Sequence, residues 1–391
     1  MDIDHPLPLL AGLTPAQFMR RHWQKKPLLV RAAMPGFTPL LSRHELLKLA
    51  ALDEVESRLI VKKTGSWRMK NGPFAATGVP AMSRPGWTLL VQGVDGHHSG
   101  IAQLLEQFRF VPDARLDDLM ISLASIGGGV GPHFDSYDVF LLQASGRRRW
   151  QIGRQKDLTL QTGVPLKILE NFEPEEEFVL EAGDMLYLPP RYAHDGTAVA
   201  LVDANGKAVD CMTYSIGFRA PSENELAAEV LHKLGEFVED AAAAPKLYRD
   251  PSQAATPAPA EIPETLTDFA RAALAKALAD PLAVACAMGE LMTALKPSVW
   301  FDESTEPWNL SKGQGIRLNT KTRMMYDAHH VFINGESYLA KGADAAFMRR
   351  LANDRSLSSL GLAKASKGAA DLLSDWHEAG WLHFARDARN A

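Results

Sequence analysis

Val139-Phe-Leu-Leu-Gln143, a glycine at Gly146, then Arg148-Arg-Trp-Gln-Ile152 is the stretch that decides the fold. Both runs are short, apolar and bounded by turn-forming residues, the pattern of buried strands rather than of helices. Working outward, similar runs recur upstream as Trp87-Thr-Leu-Leu-Val-Gln92 and Asp118-Leu-Met-Ile-Ser-Leu-Ala124. Downstream they recur as Glu177-Phe-Val-Leu180, Met185-Leu-Tyr-Leu188 and Met212-Thr-Tyr-Ser-Ile216. Many short strands separated by Gly, Pro and Asp turns predict a β-barrel or sandwich between Trp87 and Arg219. Alternation along a strand running through Ile152 puts Arg148, Trp150 and Ile152 on the inner face and turns Arg147 and Arg149 to solvent.

The flanks read differently. Thr14-Pro15 is an N-cap followed by Pro at the first helical position, with Phe18, His22 and Trp23 on one face, and Pro27-Leu-Leu-Val30 follows as a strand. After Pro221 the pattern turns helical and alanine-rich, opening on the capping box Ser222-Glu-Asn-Glu225. Residues 241–263 carry Pro245, Pro251, Pro257, Pro259 and Pro263 and read as a linker, and a second helical stretch spans Leu266 to Leu295. Two amphipathic helices make a thin core by themselves, so they are expected to pack on another subunit or on the barrel, dimerisation being the more economical of the two. Beyond them, Asn334-Gly335 marks a hairpin, followed by helices over Asp344–Ala352 and Ser366–Ala379 and by Trp381-Leu-His-Phe384. The expected organisation is a multidomain α+β chain: a barrel domain over 1–220, a helical dimerisation domain over 221–300 and a winged-helix-like domain over 301–391.

The 391 residues, 46% apolar and 23% charged, describe an ordinary globular chain too long for one core. A net charge of -5 gives no basic field over the whole chain, which argues against a protein that coats nucleic acid or an anionic membrane. Cys211 and Cys286 have neither metal-ligand nor redox spacing and read as reduced core residues of a cytoplasmic protein. Neither a signal peptide nor an apolar run long enough to span a bilayer is found.

Chemistry enters with Gly131-Pro-His-Phe-Asp135 and with Gly183-Asp-Met-Leu-Tyr-Leu-Pro-Pro-Arg-Tyr-Ala-His194. On a strand His133 and Asp135 point to one face, and His194 completes the two-histidine, one-carboxylate set that non-heme Fe(II) oxygenases use. Gly127 to Pro132 suits a backbone that must approach the site closely, and Pro189-Pro190 turns the chain to present the second histidine. Three ligands on one face leave positions for a chelating co-substrate and O2. A lone His-x-Asp is more often a pair of polar residues at a strand end; the second histidine and its context reverse that. Arg148, pointing into a barrel, must meet an anion. A carboxylate of 2-oxoglutarate satisfies it, and an internal Asp or Glu is the structural alternative.

Phe18 to Arg31, Trp87 to Asp95, Asp117 to Ser122, Gly128 to Phe140 and Tyr214 to Pro221 together resemble the bacterial ribosomal oxygenases of the cupin-type Jumonji-C group. The resemblance covers most of the chain. It implies a double-stranded β-helix catalytic domain, a helical dimerisation domain and a C-terminal winged helix. It also implies Fe(II), 2-oxoglutarate and O2, and hydroxylation of an arginine β-carbon on a large-subunit ribosomal protein. By the same resemblance His133, Asp135 and His194 are the iron ligands and Arg148 the partner of the 2-oxoglutarate carboxylate, with Ser122 and Thr213 adding hydrogen bonds to it. Asp117 or Asp118, Tyr137 and Ser215 would line the approach of the substrate side chain; a strand-end Asp equally serves as a turn former. Asp195 stands where relatives carry Glu.

Two other functions compete. A Jumonji-type demethylase needs a methyl-lysine pocket that the sequence does not visibly specify. A cupin-fused transcription regulator would use the winged helix on DNA, yet the chain from Ser311 carries twelve Lys and Arg against eight Asp and Glu. Its last helix sets Lys367 against Asp371, Asp375 and Glu378, so direct nucleic-acid binding is not expected. His97-His98 and His329-His330 read as surface pairs.

Overall fold

The computed structural model describes residues 2–63, 66–239, 246–309 and 314–386. They divide into two compact units, Met1–Ala220 with Ser298–Trp300, and Pro221–Pro297 with Phe301–Ala391.

The first unit begins with helix α1 (Pro15–Arg21), where Thr14 and Gln17 form a reciprocal capping box and Pro15 holds the first position. Strand β1 (Leu28–Val30) and helix α2 (Arg43–Leu49) follow. A hairpin of β2 (Ser57–Lys63) and β3 (Ser66–Asn71) leads to β4 (Trp87–Val91) and helix α3 (Ser99–Glu106). The barrel strands are β5 (Leu116–Ala124), β6 (Val139–Ser145), β7 (Arg147–Gly153), β8 (Glu176–Leu180), β9 (Met185–Leu188), β10 (Ala193–Val199) and β11 (Cys211–Phe218).

Eight strands form one sheet in the order β1-β9-β6-β11-β5-β4-β2-β3, and β10-β7-β8 form a second. Strict alternation gives the large sheet two apolar faces. Leu119, Ile121 and Leu123 of β5 and Phe140, Leu142 and Ala144 of β6 join one core with Phe18, Leu46 and Leu104 of the three helices. Val139 and Leu141 of β6 with Leu186 and Leu188 of β9 pack instead on Trp150, Ile152 and Leu180 of the small sheet. That second core is the barrel interior, and the double-stranded β-helix expected from the sequence is present.

Several expectations need correction. The hairpin β2–β3 and strand β10 went unread, because their residues are mixed polar and apolar and become strand only by pairing with neighbours. His133 belongs to no regular strand: it makes an isolated bridge to His194.

In the second unit, α4 (Glu223–Glu239) starts on the expected capping box, Ser222 Oγ accepting from the Glu225 amide at 3.2 Å. Residues 241–245 of the expected linker lie outside the described residues, and 246–263 hold neither helix nor strand. The helical stretch read as continuous is two helices, α5 (Glu264–Leu278) and α6 (Pro281–Thr293), because Asp280 caps α6 and Pro281 cannot extend α5. Strands β12 (Gln314–Leu318), β13 (Met324–Tyr326), β14 (His330–Ile333) and β15 (Glu336–Leu339), helix α7 (Gly342–Asp354), β16 (Ser356–Leu357), helices α8 (Ser359–Leu362) and α9 (Lys367–Glu378), and β17 (Leu382–Arg386) complete it. Asn334 and Gly335 make the hairpin turn with φ of 50° and 91°, the left-handed pair that a two-residue hairpin needs. His330 is not the surface residue expected: it is buried, its Nδ1 lying 3.1 Å from Asp327. Among the described residues, no single helix is long and apolar enough to cross a membrane.

Candidate active site

His133 and His194 face each other through a reciprocal backbone pair, each amide donating to the other's carbonyl at 2.9 and 2.8 Å. The bridge sets the two rings 4.2 Å apart at their centroids. Asp135 is drawn in by its own carbonyl, which accepts from the Arg191 amide at 2.7 Å, and Arg191 adopts a φ of 63° just after the Pro189-Pro190 turn. One ligand atom from each of His133, Asp135 and His194 lies within 4.8 Å of the others, the one such metal-competent cluster of His, Cys, Asp and Glu among the described residues. The carboxylate of Asp135 is 4.0 Å from His133 Nε2 and 3.7 Å from His194 Nε2.

The protonation states suit a cation. His133 Nδ1 lies 2.9 Å from the Gly131 carbonyl, and His194 Nδ1 2.9 Å from that of Tyr192. A carbonyl oxygen only accepts, so each Nδ1 carries a proton and Nε2 is the ring nitrogen turned toward Asp135 and available to a metal. Burial, then repulsion from His133, lowers the pKa of His194 to about 4 against the pull of Asp135, so its ring is neutral near pH 7.

Arg148 enters the same interior from β7, only 3% exposed. Its Nη1 reaches the Gly196 carbonyl at 3.4 Å and its Nη2 the Ser122 hydroxyl at 3.3 Å, both long contacts. Its Nε has no partner, and neither does the indole Nε1 of Trp150 two residues along the same inner row. No carboxylate of the described residues pairs with this guanidinium, so two buried donors face the interior without an acceptor, and an anionic ligand would satisfy them. Ser122 and Thr213 are direct cross-strand partners on β5 and β11, and Gln143 sits opposite Thr213 on β6. Thr213 Oγ1 donates to Gln143 Oε1 at 2.9 Å, a buried contact that the sequence did not announce.

Alternation separates the two aspartates considered for substrate. Asp118 is in phase with Ser122, and its carboxylate accepts from the Gly93 amide at 3.0 Å. Asp117 has the opposite phase and pairs with Arg219 at 3.4 Å. Desolvation, then the charges of Asp135 and Asp118, hold the Tyr137 phenol well above its ordinary pKa, which puts Tyr137 beside both carboxylates. Ser215 lies opposite Met120 of β5, again in phase with Ser122. Asp195 is kept above the usual carboxylate range by burial, opposed by Lys62.

Glycines keep the interior open. A Cβ on Gly196 would lie 2.5 Å from the Trp150 ring, and one on Gly129 2.4 Å from the Gly196 carbonyl. At Gly131, where φ is +79°, a Cβ would meet Trp67 of β3 and Ile168 at 2.8 Å. Trp67 and Ile168 thus border the chain leading into His133, a role with no signature in their local sequence.

Two facing antiparallel sheets around a His-Asp-His cluster define a protein of the JmjC class, and a JmjC domain matches residues 103–226, with a ROXA-like winged helix over 275–383. The crystal structure of Escherichia coli YcfD superposes with a TM-score of 0.81 at 30% identity, covering 95% of this chain and 98% of that one. The chain therefore belongs to the YcfD family of ribosomal oxygenases. The E. coli ribosomal protein uL16 3-hydroxylase is 42% identical over 212 residues, which span 54% of this chain and 53% of that protein, about half the length of each. A further YcfD structure, described as a complex with cobalt and 2-oxoglutarate, matches with a TM-score of 0.77 at 29% identity over 95% of this chain and 98% of that one.

Proposed function

We propose that this chain is an Fe(II)- and 2-oxoglutarate-dependent protein hydroxylase acting on an arginine β-carbon of a large-subunit ribosomal protein. The observation that carries the reading is the convergence of two imidazoles and one carboxylate beside a buried guanidinium with an unpaired Nε. Iron(II), 2-oxoglutarate and O2 would supply the oxidation of an unactivated C–H bond. The chain does the rest. His133 and His194 offer Nε2 lone pairs fixed by their Nδ1 hydrogen bonds, and Asp135 adds the negative charge that favours a divalent cation. Arg148 receives the far carboxylate of 2-oxoglutarate, with Ser122 and Thr213 as hydroxyl partners. Trp150 and Ile152 exclude water from that end of the barrel. Asp118 and Tyr137, with Ser215, orient a cationic arginine at the mouth, so that its carbon sits close to the metal. The match to the uL16 3-hydroxylase supports a ribosomal substrate, and such a substrate would place the enzyme in the cytoplasm.

The reading extends to assembly and domains. Helices α4 and α5 expose Leu231, Val238, Leu266, Leu274 and Leu278, an apolar surface that would be covered in a homodimer formed through residues 221–300. Residues 1–220 would then be the catalytic domain and 301–391 a winged helix used for protein contacts. Light scattering at several concentrations tests this: a mass near twice 42.8 kDa is expected, and a monomer throughout refutes it.

The activity is tested by intact mass and tryptic mapping of purified uL16 after incubation with the protein, Fe(II), ascorbate, 2-oxoglutarate and O2. A gain of about one oxygen mass on an arginine, absent with Arg148→Ala and His133→Ala, is the expected result. Turnover of 2-oxoglutarate without a mass change would discard the substrate and keep the oxygenase. No turnover despite bound iron would favour a ligand-sensing regulator.

A further inference from the structure

The chain as a whole is acidic, yet from Ser57 to Asn71 it carries Arg58, Lys62, Lys63, Arg68 and Lys70 and no Asp or Glu. This span is the hairpin β2–β3, and β3 is the last strand of the eight-stranded sheet, with no neighbour on its outer edge among the described strands. Lys62, Lys63, Arg68 and Lys70 are exposed, and among the described residues none of the four lies in an ion pair. Across the two strands Lys62 lies opposite Trp67, Lys63 opposite Ser66, Arg68 opposite Val61 and Lys70 opposite Leu59, so none of the four has a carboxylate as its cross-strand partner. Cations also blunt a sheet edge against aggregation, a role that leaves them free to meet an anion in solution.

Position sharpens the point. Lys62 lies over the face of Trp67, 5.2 Å from the ring centroid, and Trp67 borders Gly131, two residues before His133. The hairpin therefore stands at the edge of the candidate site. A cationic rim would repel a free basic protein, and a ribosomal protein that offers an arginine is of that kind. It would attract the same protein bound to RNA, whose phosphates are the complementary charge; Lys62 and Trp67 present one face of the hairpin to it, and Lys63, Arg68 and Lys70 the other face along the free edge.

We propose that the β2–β3 hairpin is an RNA-binding surface that engages the phosphate backbone of ribosomal RNA next to the substrate arginine. The inference deepens the hydroxylase reading by making an RNA-bound form of the ribosomal protein the preferred substrate. It departs from the expectation that the protein does not bind nucleic acid directly, which rested on the whole-chain charge and on the winged helix; the hairpin is a local basic exception, and the winged helix is not required for it.

The direct test needs no catalysis. Full-length protein is titrated against a short fluorescein-labelled RNA hairpin across a range of salt, beside the triple variant Lys63→Glu/Arg68→Glu/Lys70→Glu and its milder counterpart Lys63→Gln/Arg68→Gln/Lys70→Gln. The wild type should bind with a negative slope of log K against log salt, and the glutamine variant should lose about two to three units of that slope. The glutamate variant should abolish binding while its circular dichroism and melting temperature stay those of the wild type. A poly-glutamate peptide serves as the control anion. Equal binding of RNA and poly-glutamate, or RNA binding unchanged in both variants, overturns the proposal. Because no iron or 2-oxoglutarate enters this assay, its failure is distinct from failure of the hydroxylase. In an active enzyme, a rate on RNA-bound uL16 no higher than on free uL16 overturns the substrate preference.

Discussion

Arg148 and Ser122 meet across the barrel interior, guanidinium Nη2 to hydroxyl at 3.3 Å, although they belong to different sheets. The contact is long and neutral on one side, so it positions the guanidinium without neutralising it. An arginine held this way is ready for an anion.

Arg148→Met should therefore separate binding from folding. Loss of a buried charged contact is worth about 2–5 kcal/mol, which raises the half-saturating 2-oxoglutarate concentration by roughly 30-fold or more. The ligand-free protein should keep or raise its melting temperature, because replacing an uncompensated buried charge by an apolar side chain of similar volume is neutral or stabilising. Calorimetry with and without 2-oxoglutarate checks both halves; a large drop in the melting temperature of the ligand-free protein would show that Arg148 is structural.

Acid should weaken the metal-free barrel through His194. Its pKa is about 4 when folded against 6.5 in its unperturbed state, so the unfolded chain binds more protons between those values. Stability is fully present above pH 6.5 and is lost as the pH falls toward 4, by up to about 1.4 kcal/mol per pH unit from this group. Urea unfolding of metal-free protein at a series of pH values should show that slope, and His194→Gln should flatten it.

Gly196→Ala should damage the site from outside the ligand set. Its methyl group would press on Trp150 at 2.5 Å, and that ring lies 5.8 Å from His194 and 5.7 Å from the Arg148 guanidinium. Overpacking of this kind costs about 1–3 kcal/mol, and 2-oxoglutarate affinity should fall with it. Thermal melts with parallel co-substrate titrations measure the two losses; wild-type values for both would mean that the strand moves freely at Gly196.

Asp118→Asn and Asp117→Asn should differ. Asp118 shares the phase of Ser122, whereas Asp117 pairs with Arg219. Loss of a charge-assisted hydrogen bond to substrate costs about 1.5–3 kcal/mol, so Asp118→Asn should lower kcat/KM on the protein substrate about 10- to 150-fold with 2-oxoglutarate binding unchanged. Asp117→Asn should stay within a few-fold of wild type. Equal effects in the two variants would remove Asp118 from the substrate approach.

Much of this chain is written in short-range pattern. The capping boxes at Thr14 and Ser222, the Asn334-Gly335 turn, the inward phase of Arg148 and most barrel strands follow from neighbouring residues, because caps, turns and strand alternation are local matters of hydrogen bonding and side-chain direction. The same holds for the chemistry of His133, Asp135 and His194, whose residue types and setting name the class of ion they suit.

Other features depend on partners far along the chain. Ala193-His-Asp-Gly-Thr-Ala-Val199 has little strand signature of its own and becomes β10 through a seven-residue register with β7, from Ala193 opposite Gly153 to Val199 opposite Arg147. The bridge between His133 and His194, the choice between Asp117 and Asp118, and the approach of the β2–β3 hairpin to Gly131 arise in the same way. Sequence determined which groups this protein carries and which local elements they favour. Tertiary structure alone decided which of them meet, because register, burial and the loss of water around a charge are set by segments that have no contact until the chain folds.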